Sequence, residues 1–195
     1  MQRASLTLSG SRRGSTPGIP EVIYVAEKLH KTKIIMSTEA RNLLLEGKVQ
    51  EFNAWRMKNL TTKLDLTGAD LSGKNIAGAY LNGVVATNAN FSKANLSGAN
   101  FVQAELSGAN FEGANCKETL FMYAEMKGAK LSGADATKAN FMWANLSGAD
   151  MGAVKMLQTV FVEANMQNAN VAGSDRMGAY LKYAKLDGTP WNEKR

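Results

Sequence analysis

The side chains best suited to catalysis and metal binding are few in this sequence and are widely spaced. The chain contains one cysteine, Cys116, and one histidine, His30. A protein zinc site takes about four Cys, His or carboxylate ligands, and a disulfide takes two cysteines. The carboxylates are scattered along the chain, and no phosphate-binding loop is present. We therefore predict that the protein is not an enzyme and has no catalytic residues, metal site, cofactor or small-molecule substrate.

The net charge of +6 is distributed unevenly over the 195 residues. Residues 1–63 contain eleven basic and five acidic side chains, whereas residues 64–188 contain ten basic and eleven acidic ones. The basic surplus therefore belongs to the N-terminal part. The apolar runs are much shorter than the roughly 20 residues that a membrane-spanning helix needs. With one cysteine and no secretory signal, we expect a cytoplasmic protein, although the Arg- and Ser-rich start has some of the composition of a transit peptide.

The first part of the chain divides into a leader and a helical segment. Residues 1–36 are predicted to form a flexible basic leader, with a short element of undecided type around Val22–Val25. Met36 is an alternative start. Residues 37–63 are predicted to form an N-terminal capping helix, with Leu45, Val49 and Phe52 on its apolar face and Gly47 interrupting the pattern. A separate partner-binding helix is the alternative reading of this segment.

A five-residue period runs without interruption from Leu64 to about Gly188. Every fifth residue from Leu66 to Leu186 is large and apolar, except at Ala86, Cys116, Ala136 and Arg176. The residue two places earlier is mostly alanine, the one between them is mostly Asn or Asp, and the fifth is often glycine. Residues two apart in an extended segment point to the same side, and glycine suits a tight corner. Each unit is therefore predicted to be one short side and a turn, with alanine and the large apolar residue facing inward.

A longer period of twenty residues lies on top of the shorter one. Phenylalanine returns at Phe101, Phe121, Phe141 and Phe161. Four five-residue sides per coil would stack these four residues directly above one another. We therefore predict that they form an inward-facing core ladder.

This pattern resembles that of the pentapeptide-repeat family over Leu64 to about Gly188, and the segment Gly47–Asn59 looks like the leader that precedes the repeats in some bacterial members. The resemblance implies an all-β solenoid: a right-handed quadrilateral parallel β-helix, here of about six coils. It also implies an alternative function, because some members mimic B-form DNA, bind DNA gyrase and protect it from quinolones. That mechanism needs an acidic rod, and residues 64–188 are close to neutral.

The outward positions beside the phenylalanines are unusually apolar. Exposed patches rich in aromatic residues and Met are typical of interaction surfaces. We therefore predict a scaffold or interaction protein that binds a protein partner, or itself as a homodimer, through one side. The alternative is that residues 1–36 cover this side, while nucleic-acid and membrane binding through the leader are disfavoured. The predicted partner-binding residues are Val102, Leu120, Met122, Tyr123, Met142, Trp143, Val160 and Val162.

The C-terminal end provides a second candidate interface. The C-terminal coil and the short tail of residues 189–195 carry three aromatic residues, Tyr180, Tyr183 and Trp191. They would cap the rod or join two chains end to end.

Overall fold

A computed structural model of the chain describes residues 38–192. The predictions for the leader, for an alternative start at Met36 and for coverage of the apolar side by residues 1–36 therefore lie outside the described residues. Within residues 38–192, no helix combines the length and the apolar character that crossing a membrane requires.

Two short helices come first. Helix α1 covers residues 38–45, and helix α2 covers Val49–Lys58. The sequence predicted one helix here, but Gly47 separates two because it adopts a left-handed backbone angle of 71°. The buried side chains of the pair are Ala40, Leu44, Phe52, Trp55 and Arg56.

Helix α2 is joined to the repeats by side-chain hydrogen bonds. Asn53 donates to the carbonyl oxygen of Gly78 at 2.9 Å and accepts the N–H of Tyr80 at 2.8 Å. Arg56 donates to the carbonyl oxygens of Tyr80 and Asn82 at 3.1 and 2.8 Å. Burial lowers the pKa of the Arg56 guanidinium. Sequence reasoning did not identify Arg56, because it looked only for apolar residues on the buried face.

The repeats stack through parallel β-bridges at a constant spacing. From Asp65 to Lys185, every fifth residue bridges a residue twenty positions away, as Leu120 does with Asn140. Each bridge uses backbone bonds such as Phe101 N–H to Leu120 O at 2.7 Å. Within residues 38–192, the β-structure consists of these single-residue bridges rather than longer strands. The spacing of twenty places four five-residue units in each coil.

Two kinds of hydrogen bond stabilise the turns. At most bridge positions occupied by Asn or Asp, the side-chain oxygen accepts the N–H two residues later; for example, Asn100 accepts the N–H of Val102 at 2.9 Å. The next residue forms the corner and has a left-handed backbone angle near 60°, whether or not it is glycine. Its N–H donates to the following coil, as the N–H of Gln103 does to the carbonyl oxygen of Met122 at 2.9 Å.

The interior is a set of stacked columns. Phe101, Phe121, Phe141 and Phe161 are fully buried, with successive ring centroids 4.8–5.3 Å apart and ring planes within 13° of parallel. The buried hydroxyl of Thr119, which occupies an alanine position, donates to a backbone carbonyl oxygen at 2.8 Å. Stacked aromatic pairs add to the free energy gained by burying apolar surface.

The two cations at inward positions are not enclosed. Lys74 is half-buried, and Arg176 is exposed. Arg176 belongs to the last regular coil, and its guanidinium lies 5.1 Å from the ring centroid of Trp191. Both side chains reach solvent, as the sequence predicts for long cations at inward positions of the first and last coils, and no further coil stacks on Arg176 to enclose it.

We expect Phe121→Ala to lower the free energy of unfolding by about 3–5 kcal/mol, because it empties a buried site between two stacked rings. Guanidinium unfolding followed by circular dichroism measures this loss. Val162→Ala, on the surface of the same side, is the control and should cost far less. Equal effects of the two substitutions would contradict a stabilising role for the ladder.

Candidate functional site

Three outward columns flank the phenylalanine ladder. The bridge column precedes the phenylalanines, the flank column follows them, and the corner column comes one residue later. Their members in chain order are Tyr80, Asn100, Leu120, Asn140, Val160 and Tyr180 for the bridge column; Asn82, Val102, Met122, Met142, Val162 and Lys182 for the flank column; and Gly83, Gln103, Tyr123, Trp143, Glu163 and Tyr183 for the corner column.

The eight predicted partner-binding residues all reach the surface within these columns, and together they are called the apolar side below. Tyr123 and Trp143 are the most exposed, at 52% and 41% of their surface. Their rings stack, with centroids 4.7 Å apart and an angle of 12° between planes. The six aliphatic members are half-buried. The bridges bring them together, because residues twenty apart lie side by side on neighbouring coils.

The corner column carries side chains where the backbone favours glycine. Gln103, Tyr123, Trp143, Glu163 and Tyr183 all have backbone φ angles of 57–62°. A left-handed conformation costs a residue with a side chain roughly 1–2 kcal/mol. Each of the other three corner columns includes at least three glycines at such angles. The corner column of the apolar side therefore holds its large residues at a cost to stability.

Two residues of the bridge column lack a side-chain hydrogen bond that stabilises the turns of neighbouring coils. Asn100 and Asn140 accept the N–H groups of Val102 and Met142 at 2.9 and 3.0 Å. Leu120 and Val160 occupy the equivalent positions in the coils between and after them, and they have no side-chain oxygen to accept such a bond. Apolar residues thus replace turn-stabilising ones at two places on the same side.

The C-terminal aromatic residues fall into two groups. Tyr180 and Tyr183 are exposed and extend the apolar side by one coil, because Tyr180 bridges Val160. Trp191 is half-buried, packs on the end of the core and lies beside Arg176. Sequence reasoning did not identify Met177, which is also exposed near this end. The sequence did contain a signal for the exposure of Met177, because this residue occupies an outward position in the five-residue period.

The described residues offer little for catalysis. Cys116 is fully buried, and burial raises the pKa of its thiol to about 12. Within residues 38–192, no cluster of three or more His, Cys, Asp or Glu side chains is arranged to hold a metal ion. Asp135 accepts hydrogen bonds from Thr137 in a turn, and Asp150 accepts one from Ser132 on the surface. The notable features of the described surface are its regular coiled shape and the apolar side.

The repeat pattern identifies the family. The family model described as pentapeptide repeats matches eight copies over residues 65–103, 99–135 and 139–175, more than half of the chain. The chain therefore belongs to the pentapeptide-repeat family. No match was found among curated proteins.

Solved structures with this fold include a plasmid-mediated fluoroquinolone resistance protein, QnrB1. One trypsin-treated QnrB1 variant aligns with a TM-score of 0.62 at 24% identity, over 66% of this chain and 67% of that one. A second variant aligns with the same TM-score at 25% identity, over 65% and 64%. These matches show a right-handed β-helix solenoid.

A further match is HetL, a pentapeptide-repeat protein involved in the regulation of heterocyst differentiation in the cyanobacterium Nostoc sp. strain PCC 7120. It is 31% identical over 63% of each chain, with a TM-score of 0.47. This chain thus spans about two thirds of the length of the structures it matches.

We expect the Cys116 thiol to be unreactive in the folded protein, because its high pKa and complete burial leave almost no accessible thiolate near pH 8. Labelling with a thiol-specific chromogenic reagent measures this. One thiol per chain should react after unfolding in guanidinium and almost none before. Rapid labelling of the native protein would contradict the inward placement of Cys116.

We expect Trp143→Gly to change the free energy of unfolding by less than about 1 kcal/mol. Relief of the left-handed backbone should offset most of the lost ring stacking and surface contact. Guanidinium unfolding measures the change, with Phe121→Ala as the contrasting core substitution. A loss above about 2 kcal/mol would show that Trp143 is part of the structural framework.

Proposed function

We propose that this protein is a non-enzymatic scaffold that binds a protein partner, either another protein or a second copy of itself, through the apolar side. The observation that carries the proposal is the exposed, stacked pair of Tyr123 and Trp143 at left-handed corners. Large aromatic residues held at a cost to stability in exposed positions have no role in building the coil. Strained positions of this kind concentrate at functional sites.

The chemistry of the side fits protein recognition. Aromatic residues and Met are enriched in the centres of protein interfaces, and they contribute much of the binding energy there. Met122 and Met142 lie side by side at the middle of the flank column, next to the ring pair. Flexible methionine side chains adapt to the shape of a partner.

The proposed architecture is a rod that presents this side rigidly. In this architecture, residues 64–188 form about six coils, and helices α1 and α2 cap their N-terminal end. Burial of Phe52 and Trp55 and the bonds from Arg56 to the carbonyl oxygens of Tyr80 and Asn82 support the cap. Covering the end protects apolar core and unpaired backbone groups from water and from other chains.

A second candidate is a DNA-mimicking modulator of DNA gyrase. The structural likeness to QnrB1, described as a fluoroquinolone resistance protein, favours it. The charge argues against it, because residues 64–188 carry ten basic and eleven acidic side chains. A supercoiling assay with and without a quinolone tests this candidate, and protection or inhibition of gyrase would support it.

The decisive variant replaces Met122 with Lys and Trp143 with Glu, which leaves the net charge unchanged. We expect the β-sheet circular dichroism signal to persist and binding of the partner, whether another protein or a second copy, to be lost. Sedimentation and pull-down with the full chain measure binding. A control with the same charge changes is Ser92→Lys with Ala153→Glu, at a flank and a corner position of the opposite side. Survival of both self-association and pull-down in the Met122/Trp143 variant would refute the proposed function.

A further inference from the structure

We infer that the partner of the apolar side is a second copy of this chain, lying antiparallel, with the two-fold axis between the coils that carry Phe121 and Phe141. This inference rests on the proposed function and specifies its partner. A two-fold interface places the same surface on both chains, so that surface must be complementary to itself. The columns of the apolar side can therefore be tested for this symmetry.

The flank column is symmetric about the inferred axis. It contains Val102, Met122, Met142 and Val162 on four successive coils. When one chain is turned end over end, Val102 faces Val162 of the second copy, and Met122 faces Met142 of the second copy. All four residues are half-buried in the single chain and retain apolar surface that the contact would remove from water.

The corner column has the same symmetry by chemical class. Its sequence on these coils is Gln103, Tyr123, Trp143 and Glu163, with polar residues outside and aromatic residues inside. In the antiparallel arrangement, Tyr123 faces Trp143 of the second copy, and the Gln103 amide faces the Glu163 carboxylate of the second copy. An amide donor opposite a carboxylate acceptor is a favourable pairing at the rim of an interface.

The other edge of the apolar side supplies charge complementarity. Glu118 and Lys138 are exposed corner residues, with φ angles of 57° and 59°, on the coils that carry Phe121 and Phe141. Neither belongs to the salt bridges found within residues 38–192. In the antiparallel arrangement, Glu118 faces Lys138 of the second copy, and the reverse pair forms at the symmetric position. A parallel arrangement would instead place Glu118 and Lys138 opposite the aromatic corner.

The bridge column does not share this symmetry, because Leu120 would face Asn140 of the second copy. The inference therefore depends on the flank column and the two corner columns. The near balance of charge over residues 64–188 also favours self-association, because two copies of the rod do not repel each other strongly.

The size of the contact sets the expected affinity. Four coils at about 4.8 Å give a strip about 19 Å long. Stable interfaces commonly bury about 800 Å² on each partner, and so short a strip falls towards the lower end of the range. We therefore expect a dimer that dissociates on dilution, and a concentration series is needed to detect it.

The first experiment is sedimentation of the full chain over a concentration series. Glu118→Lys and Lys138→Glu should each weaken dimerisation about tenfold, because each creates two like-charge contacts per dimer. The double variant Glu118→Lys/Lys138→Glu should restore the dissociation constant to within about threefold of the original. Glu112→Lys and Lys93→Glu, exposed on the opposite side, make the same charge changes and should have little effect.

The second experiment tests the direction of the two chains. Val102→Cys and Val162→Cys are prepared separately and oxidised alone or as a mixture, and the buried Cys116 is left in place. The mixture should form disulfide-linked dimers. Each variant alone should not, because equivalent cysteines would lie three coils or about 14 Å apart, beyond disulfide reach. Equally strong crosslinking of one variant alone would overturn the antiparallel arrangement.

The outcomes separate this inference from the proposed function. A chain that sediments as a monomer throughout the series overturns the inference. The proposed function survives in that case if Met122→Lys/Trp143→Glu abolishes capture of a different, identified protein. A dimer that single charge reversals do not weaken also overturns the inference, since it must use another surface. A dimer weakened by each reversal and restored by their combination supports both.

Discussion

The hydrogen bonds between coils set the register on which the whole structure depends. Each bridge joins residues twenty positions apart, so every side of the coil stacks on itself without drift. Residues twenty positions apart therefore form a column along the coils. A residue type repeated every twenty positions forms a continuous stripe. This explains how four phenylalanines form one aromatic stack inside, and how their sequence neighbours form one apolar strip outside.

Inward and outward columns have different structural roles. The inward alanines and large apolar residues are almost all buried, and their columns account for the cohesion of the rod. The outward Asn and Asp residues cap turns and form ladders, such as Asn115 donating to Asn95 at 2.9 Å. The apolar side departs from that outward rule in both its bridge and corner columns. Single departures also occur on other sides, as at Val85 and Lys138, but the aromatic residues at left-handed corners, Tyr123, Trp143 and Tyr183, all lie in the corner column of this side. Folding alone does not require this grouping, so a requirement other than folding is the simplest physical reason for it.

Much of this arrangement follows from the sequence, because the five-residue period states which residues face inward. The uninterrupted register from Leu64 predicts the columns, and the apolar side follows from reading their neighbours. The interruption at Gly47 was visible in the sequence, although its left-handed turn was not. The buried Arg56 did not follow, because a helical pattern does not reveal the carbonyl groups that a cation meets. The exposure of Arg176 did follow, because the period places this long cation in the last coil, where it can reach water.

The constant bridge spacing has a consequence for how such a chain can change over time. Inserting one complete coil of twenty residues lengthens the rod and keeps every stripe in line. Inserting a single unit of five preserves the inward pattern and the turns equally well, but it rotates everything downstream by a quarter of a turn. The core would accept both events, whereas only the first leaves the strip around Tyr123 and Trp143 continuous. The fold therefore tolerates insertions in multiples of five residues, whereas a continuous apolar side tolerates them only in multiples of twenty.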